Sequence, residues 1–275
     1  MRFCALLLGL AVIGCSGDGG AGGDLAMAPL GFDGGGVTDG GADASVPDLA
    51  SVDFGGCPPE MVRITTFCVD RFEGYVVELD AQGNEQPHSP FLVINGATVR
   101  AKNAAGAYPQ GYISQVEATQ ACANAGKRLC DATEFAQACR GASATNYYPY
   151  GGTTRIKGYC NEGKGSSMPL FFGSNANNWT YAEFNDPRLN QWDGGLAPSG
   201  SYPHCVSPYG VYDCVGNLHE WGSDAGDANG HGRFRGGFYG DAEINGHGCL
   251  YVTSAHELTY HDYSTGFRCC KDPSN

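Results

Sequence analysis

The chain has 275 residues, with 29 acids against 16 bases for a formal net charge of −13, and only 16% of its residues are charged. That acidity leaves no electrostatic footprint for nucleic acid. The 43 glycines follow no three-residue period, which excludes collagen, and no heptad is sustained, which excludes a coiled coil. Thirteen cysteines without paired C-x-x-C knuckles argue against a structural zinc site and for disulfides in an oxidising compartment.

Residues 1–14 read as an export signal. Arg2 supplies one positive charge, and Phe3 to Ile13 is an apolar run too short to span a bilayer. Val12-Ile13-Gly14-Cys15 has the form of a bacterial lipobox, so Cys15 is the expected lipidation site and mature N-terminus. An exported bacterial lipoprotein of the outer membrane or cell surface follows, held to the membrane through its acyl chains. Residues 15–56 read as a tether: from 16 to 56 there are 13 Gly, seven Asp and no Lys or Arg. Such a segment cannot bury enough apolar surface to fold. The remainder, 57–275, carries a net charge of only −7.

Within 57–275 the elements come in a clear order. Met61–Ile64 and Phe67–Asp70 alternate as the strands of a hairpin. Residues 80–110 read as loop and strand. Ser114-x-x-Glu117 is a capping box that opens a helix ending at Gly126, with Val116, Ala118, Ala121, Cys122 and Ala125 on one face. Asp131-x-x-Glu134 opens a second helix, running to Arg140 and stopping at Gly141. From 142 to 210 the chain is rich in Tyr, Asn, Gly and Pro without a period, and reads as ordered irregular structure.

These elements carry a resemblance. Ala125-Gly126-Lys127-Arg128-Leu129, Ala132-Thr133-Glu134-Phe135, Cys139-Arg140-Gly141 and Tyr148-Pro149-Tyr150-Gly151 resemble the signature of the formylglycine-generating enzyme (sulfatase-modifying factor) family. The likeness continues through Asp70-Arg71-Phe72-Glu73, Tyr209 to Trp221, Arg235-Gly236-Gly237 and Thr265-Gly266-Phe267-Arg268-Cys269. It implies an α+β, irregular, loop-rich fold related to C-type lectins and stapled by disulfides. It implies the pairs Cys122–Cys269 and Cys139–Cys249. For the other cysteines the sequence fixes no connectivity; the expected pairs are Cys57–Cys68, Cys130–Cys270 and Cys160–Cys205, with Cys214 left as a free buried thiol.

The resemblance also implies structural calcium, with Asp213 and Glu220 side chains and the carbonyls of Gly216 and Leu218 as ligands. Oxygen donors around a tight turn suit that ion. Read from the residues alone, Asp213 caps a turn and Glu220 pairs with an arginine. A second calcium position is expected at Asn161, Glu162 and Asp193.

Oxidases of this family carry two thiols after a Gly-Gly-Ser turn, and thiolates select Cu(I). Here Phe238 follows Gly236-Gly237, Asp241 stands at the first thiol position and Gly246 at the second. Copper is therefore not expected, and no catalytic residue is assigned. Asp241, Glu243 and His247 cluster there as a polar loop that could instead hold a metal or polar ligand. The leading expectation is a monomeric binding or structural module with a peptide or glycan groove at Trp221, Phe238, Tyr239 and Asp241. The alternative is an oxidase converting a protein cysteine to formylglycine, or other chemistry on the same fold.

Overall fold

Thr65, at φ 45°, turns the chain between β1 (Met61–Ile64) and β2 (Phe67–Asp70), which pair antiparallel with Met61 opposite Asp70. Cys57 and Cys68 clip the hairpin's approach. The computed structural model describes residues 55–254 and 256–274. The export signal, Cys15 and the tether up to residue 54 lie outside the described residues. No helix among the described residues is long and apolar enough to cross a membrane.

Three small sheets make up the framework. β2 also pairs with β11 (Cys269–Lys271), which pairs with β6 (Arg128–Leu129), so the last strand sits between the first hairpin and the connection of the two main helices. β3 (Tyr75–Leu79) lies between β4 (Glu85–Pro87) and β5 (Val99–Lys102). In the third sheet, β10 (Thr265–Phe267) runs parallel to β7 (His219–Ala225), and β8 (Gly232–Arg235) and β9 (Val252–Thr253) follow antiparallel.

Helix α1 (Gln115–Asn124) begins at Ser114 with both arms of the capping box made, and α2 (Ala132–Arg140) begins at Asp131 in the same way. Each box satisfies amide hydrogens that a helix start leaves without intrahelical partners. One facial assignment differs from the sequence reading: Val116 is 51% exposed, and Gln115 is buried in its place. The cause is a hydrogen bond from Gln115 Nε2 to the Gly222 carbonyl of β7, which draws a polar residue into the core. Between 142 and 210 the only helices are α3 (Met168–Phe172), α4 (Tyr181–Phe184) and two 3-10 turns. This is the irregular, loop-rich α+β architecture that the resemblance implies.

The structure joins Cys57 to Cys68, Cys122 to Cys269, Cys130 to Cys270, Cys139 to Cys249 and Cys160 to Cys205, and leaves Cys214 as a buried free thiol. Three of the bridges link residues 110 to 147 apart. They tie α1 and the residue just ahead of α2's N-cap to β11, and α2 itself to the 3-10 turn Gly248–Leu250.

Candidate functional site

β8 runs out through Gly236-Gly237 into the loop where the thiols of an oxidase would stand. Phe238 and Asp241 exchange backbone hydrogen bonds of 2.9 and 3.0 Å, closing a tight turn. The Asp241 carboxylate then accepts from the amides of Glu243 and Ile244, at 3.0 and 3.2 Å, and so caps the next turn. Gly246 sits at φ +115°, and a Cβ built there would lie 2.6 Å from the Leu250 carbonyl oxygen. Cys249 is bonded to Cys139. The one free thiol among the described residues, Cys214, is buried beneath this loop's root, and burial pushes its pKa far up. The loop therefore presents a carboxylate and a bare backbone position where Cu(I) would need two thiolates, and the residues do not fit that ion.

The loop's polar groups hold one another. Glu243 accepts from Tyr148 Oη at 2.6 Å, and its other oxygen lies 2.6 Å from His247 Nδ1. Tyr147 lies nearly parallel to His247 at 6.1 Å, and Asn245 donates to Tyr251 Oη at 3.1 Å. No three His, Cys, Asp or Glu donors converge here. Among the described residues that happens only at Cys130, Glu134 and Cys270, where the sulfurs are bonded to each other.

The expected ligand groove needs correction. Trp221 is 1% exposed and donates from Nε1 to the Ile113 carbonyl at 2.9 Å, with Phe234 against its face. Tyr239 is 0% exposed, and its hydroxyl lies 2.8 Å from Ser167 Oγ and 3.0 Å from the Leu189 carbonyl. Both are core residues with saturated polar atoms, so neither lines a groove. Phe238 is half-buried against His219, Tyr239 and Tyr263, and Asp241 is partly exposed.

The expected calcium residues occupy a different region, the turn before β7. Asp213 and Asn217 both adopt φ 58°, and Gly216 adopts φ 78°. A Cβ on Gly216 would strike the Asn161 carbonyl at 2.1 Å, so the close crossing of these two segments requires glycine. Asp213 accepts from the Gly200 amide at 2.6 Å. Glu220 faces Arg268, whose Nε and Nη2 reach its two oxygens at 3.0 and 2.7 Å. Arg268 also donates to the carbonyls of Asp70 and Tyr212, so every arm of the guanidinium is held.

A residue that site reasoning from sequence did not single out completes this cluster. Glu73 is buried, accepts from Asn217 Nδ2, and takes the Leu218 amide at 3.2 Å. Burial, then the charges of Asp213 and Glu220, push its pKa well up. Burial likewise raises Asp213 to about 6. Glu73, Asp213 and Glu220 thus lie around one guanidinium, which bonds Glu220 alone of the three, and their oxygens do not converge on a single point. That excess of negative charge, on oxygen donors only, suits a divalent hard cation, and it also suits bound protons. The donor set fits calcium chemically, although Arg268 already engages both oxygens of Glu220.

The second expected position is less assembled. Asn161 is buried, donates to the Gly195 carbonyl and to Asn217 Oδ1 at 3.0 and 2.8 Å, and has an unpartnered Oδ1. Glu162 pairs with Arg155, and Asp193 is exposed. The signal that could have found Glu73 and Arg268 is position: each is a charged residue on or beside a short buried strand, where an ion survives only when paired.

The family model for the sulfatase-modifying factor enzyme 1-like domain matches residues 33–273. The formylglycine-generating enzyme of Bos taurus is 32% identical over 119 residues, which is 42% of this chain and 27% of that protein. The formylglycine-generating enzyme of Mus musculus is 32% identical over 121 residues, with the same coverage of 42% and 27%. The chain therefore matches about a quarter of the length of these curated relatives. Among solved structures, CarF superposes with a TM-score of 0.46 at 14% identity over 77% of this chain and 88% of its own. The Major Tropism Determinant I1 variant gives a TM-score of 0.44 at 12% identity over 78% and 53%.

Proposed function

Because the chain belongs to the sulfatase-modifying factor enzyme 1-like family, we propose that it is a membrane-tethered bacterial lipoprotein whose domain serves as a binding module and has lost the copper-dependent oxidase chemistry. The observation that carries this reading is the composition of the loop after Gly237. Asp241 offers a hard oxygen and is engaged in capping a turn, Gly246 has no side chain, and Cys249 is locked to Cys139. A thiolate pair cannot form there without breaking a disulfide or recruiting the buried Cys214.

The alternative is that the chain retains the activity named for its curated relatives. A direct assay separates the two. The purified protein is titrated with Cu(I) under a competing chelator and then incubated with a cysteine-containing sulfatase-type peptide, oxygen and a reductant. The binding-module reading expects no stoichiometric copper and no peptide aldehyde by mass spectrometry. Aldehyde formation above a copper-only control would overturn it.

In the same reading, calcium is a structural ion held by Asp213, Glu220 and the carbonyls of Gly216 and Leu218. Bound ion at 100-fold above its dissociation constant would stabilise the fold by about 2.7 kcal/mol. Chelation should then lower the thermal midpoint of wild type but not of Asp213→Ala. An unchanged wild-type midpoint would leave protons, with Arg268, as what balances the buried carboxylates.

A further inference from the structure

A cavity of about 420 Å³ opens between the segment around residue 91 and the loop that follows the 3-10 turn Pro187–Asn190. It shares no lining residue with the loop at 237–249. Three of its walls are aromatic: Phe91, Tyr108 and Trp192. Phe91 and Tyr108 meet at 5.2 Å with their planes 62° apart, so they form a corner rather than a flat stack. Trp192 is braced from behind by Tyr239, with centroids 6.4 Å apart, and its Nε1 edge lies against Gly195. The pocket is open to solvent on the side of Tyr108, which is 40% exposed.

The only formal charge in the lining is negative. Asn190 is 1% exposed, its Nδ2 donates to the Tyr263 carbonyl at 2.6 Å, and its Oδ1 has no hydrogen-bond partner. With almost no accessible surface, that oxygen lies behind the wall of the cavity and not on it. Asp193, in the lining, is exposed. No lysine, arginine or histidine lines the cavity. Three aromatic side chains and one free carboxylate, with Gln191 and the unpartnered indole N–H of Trp192 as the neutral polar groups, leave the lining net negative.

A cation answers that negative charge, and the rings select its kind. A bare metal ion would keep its water shell and gain little from an aromatic corner. A methylated ammonium is weakly hydrated, packs its methyl groups on aromatic faces and is held there by cation–π attraction. The net charge of −13 on the chain adds long-range attraction for cations. We propose that the Phe91–Tyr108–Trp192 pocket is an aromatic cage for a small methylated-ammonium group, with Asp193 as its counter-ion.

The test uses choline and its uncharged carbon isostere, 3,3-dimethylbutan-1-ol, which has the same shape. Binding to the full chain is read by calorimetry and by chemical-shift changes at the indole of Trp192. Choline should bind at least about tenfold more tightly than the isostere. Asp193→Asn, an exposed substitution that leaves the fold intact, should weaken choline several-fold and leave the isostere unchanged. Tyr108→Ala should weaken both. Equal binding of choline and isostere would reduce the cavity to an apolar pocket and overturn the proposal, as would no choline binding by folded wild type at tens of millimolar. Competition by phosphatidylcholine vesicles, but not by phosphatidylglycerol vesicles, would assign the cation to a lipid headgroup; no competition would assign it to a free solute. None of these readouts depends on copper or on peptide oxidation, so the cage and the binding-module reading can fail separately.

Discussion

Cys122–Cys269 and Cys130–Cys270 end on neighbouring residues of β11, and this adjacency predicts a measurable coupling between them. Taken alone, a crosslink across 147 residues would stabilise by about 5 kcal/mol through the chain entropy it removes from the unfolded state. Neither bridge acts alone. With Cys130–Cys270 intact, Cys122–Cys269 closes a ring of only about ten residues, worth about 2.7 kcal/mol. With both absent, the remaining Cys139–Cys249 bridge leaves a ring of about 38 residues to close, worth about 3.9 kcal/mol. The first bridge formed is therefore worth about 1.2 kcal/mol more than the second, and that difference is the coupling. The assay is a cycle of urea unfolding on four proteins: wild type, Cys122→Ala with Cys269→Ala, Cys130→Ala with Cys270→Ala, and all four substitutions together. Lost sulfur packing enters each pair equally on both sides of the cycle and cancels. Removing both bridges should cost about 1.2 kcal/mol more than the sum of the single removals. Strict additivity would refute the ring-size reasoning and place the stabilisation in native-state contacts instead.

Other consequences can be checked more briefly. Asp241→Cys with Gly246→Cys should not restore Cu(I) binding and should destabilise by about 1–3 kcal/mol, because position 246 sits at φ +115° with a carbonyl 2.6 Å from any Cβ; tight copper binding by this variant in a competition titration would show that the loop can rearrange. Asp70 is raised to about 6 by burial, against the opposing pull of Lys127. Its folded form holds a proton more tightly than its unfolded form, so its contribution is full below about 3.8 and is lost as pH rises through 6, at about 1.4 kcal/mol per unit. Asp70→Asn should flatten that part of the stability profile, and an unchanged slope between pH 4 and 6 would contradict the assignment. His219 acts with the opposite sign: burial, then His256, lowers it to about 3, so stability is lost as pH falls below about 6.5, and His219→Gln should lessen that loss in acid unfolding. Cys214, buried with its pKa pushed far up, should resist a small alkylating agent in native buffer and react fully in urea; rapid native labelling would show an exposed thiol that the fold does not provide.

The helices and the first hairpin were legible in the sequence because short-range chemistry determines them, whereas the long bridges Cys122–Cys269 and Cys139–Cys249 were legible only through the family resemblance. Ser114 and Asp131 each precede a glutamate by three residues, and that spacing leaves little choice of helix start. The sequence left Cys130–Cys270 open among the remaining cysteines, and only the bridge implied by the resemblance, Cys122–Cys269, favoured it. What escaped the sequence reading depends on which face of a strand or turn points inward. Trp221 and Tyr239 look like groove residues in a motif rich in aromatics, but they fill the core, since a large ring with one polar atom is readily satisfied by a single backbone carbonyl. Val116 lost its place to Gln115 for a related reason: an amide that finds a strand carbonyl can be buried as well as a methyl group.

The cluster of Glu73, Asp213, Glu220 and Arg268 was legible only in part: Asp213 and Glu220 were named and an arginine partner foreseen, but Glu73 and Arg268 come from two other distant stretches and only the fold brings the three together. Its position explains how the chemistry of the neighbouring loop can change while the architecture stays. Arg268 ties β2 through the Asp70 carbonyl, the 205–213 segment through the Tyr212 carbonyl, and β7 through Glu220. Two bridges fix α1 and the approach to α2 onto β11 independently of residues 238–248. The loop at 238–248 is thus a partly buried turn mounted on a scaffold stapled outside it. With Asp241 and Gly246 at that turn, the staples and the buried ion pair of Arg268 with Glu220 are all in place.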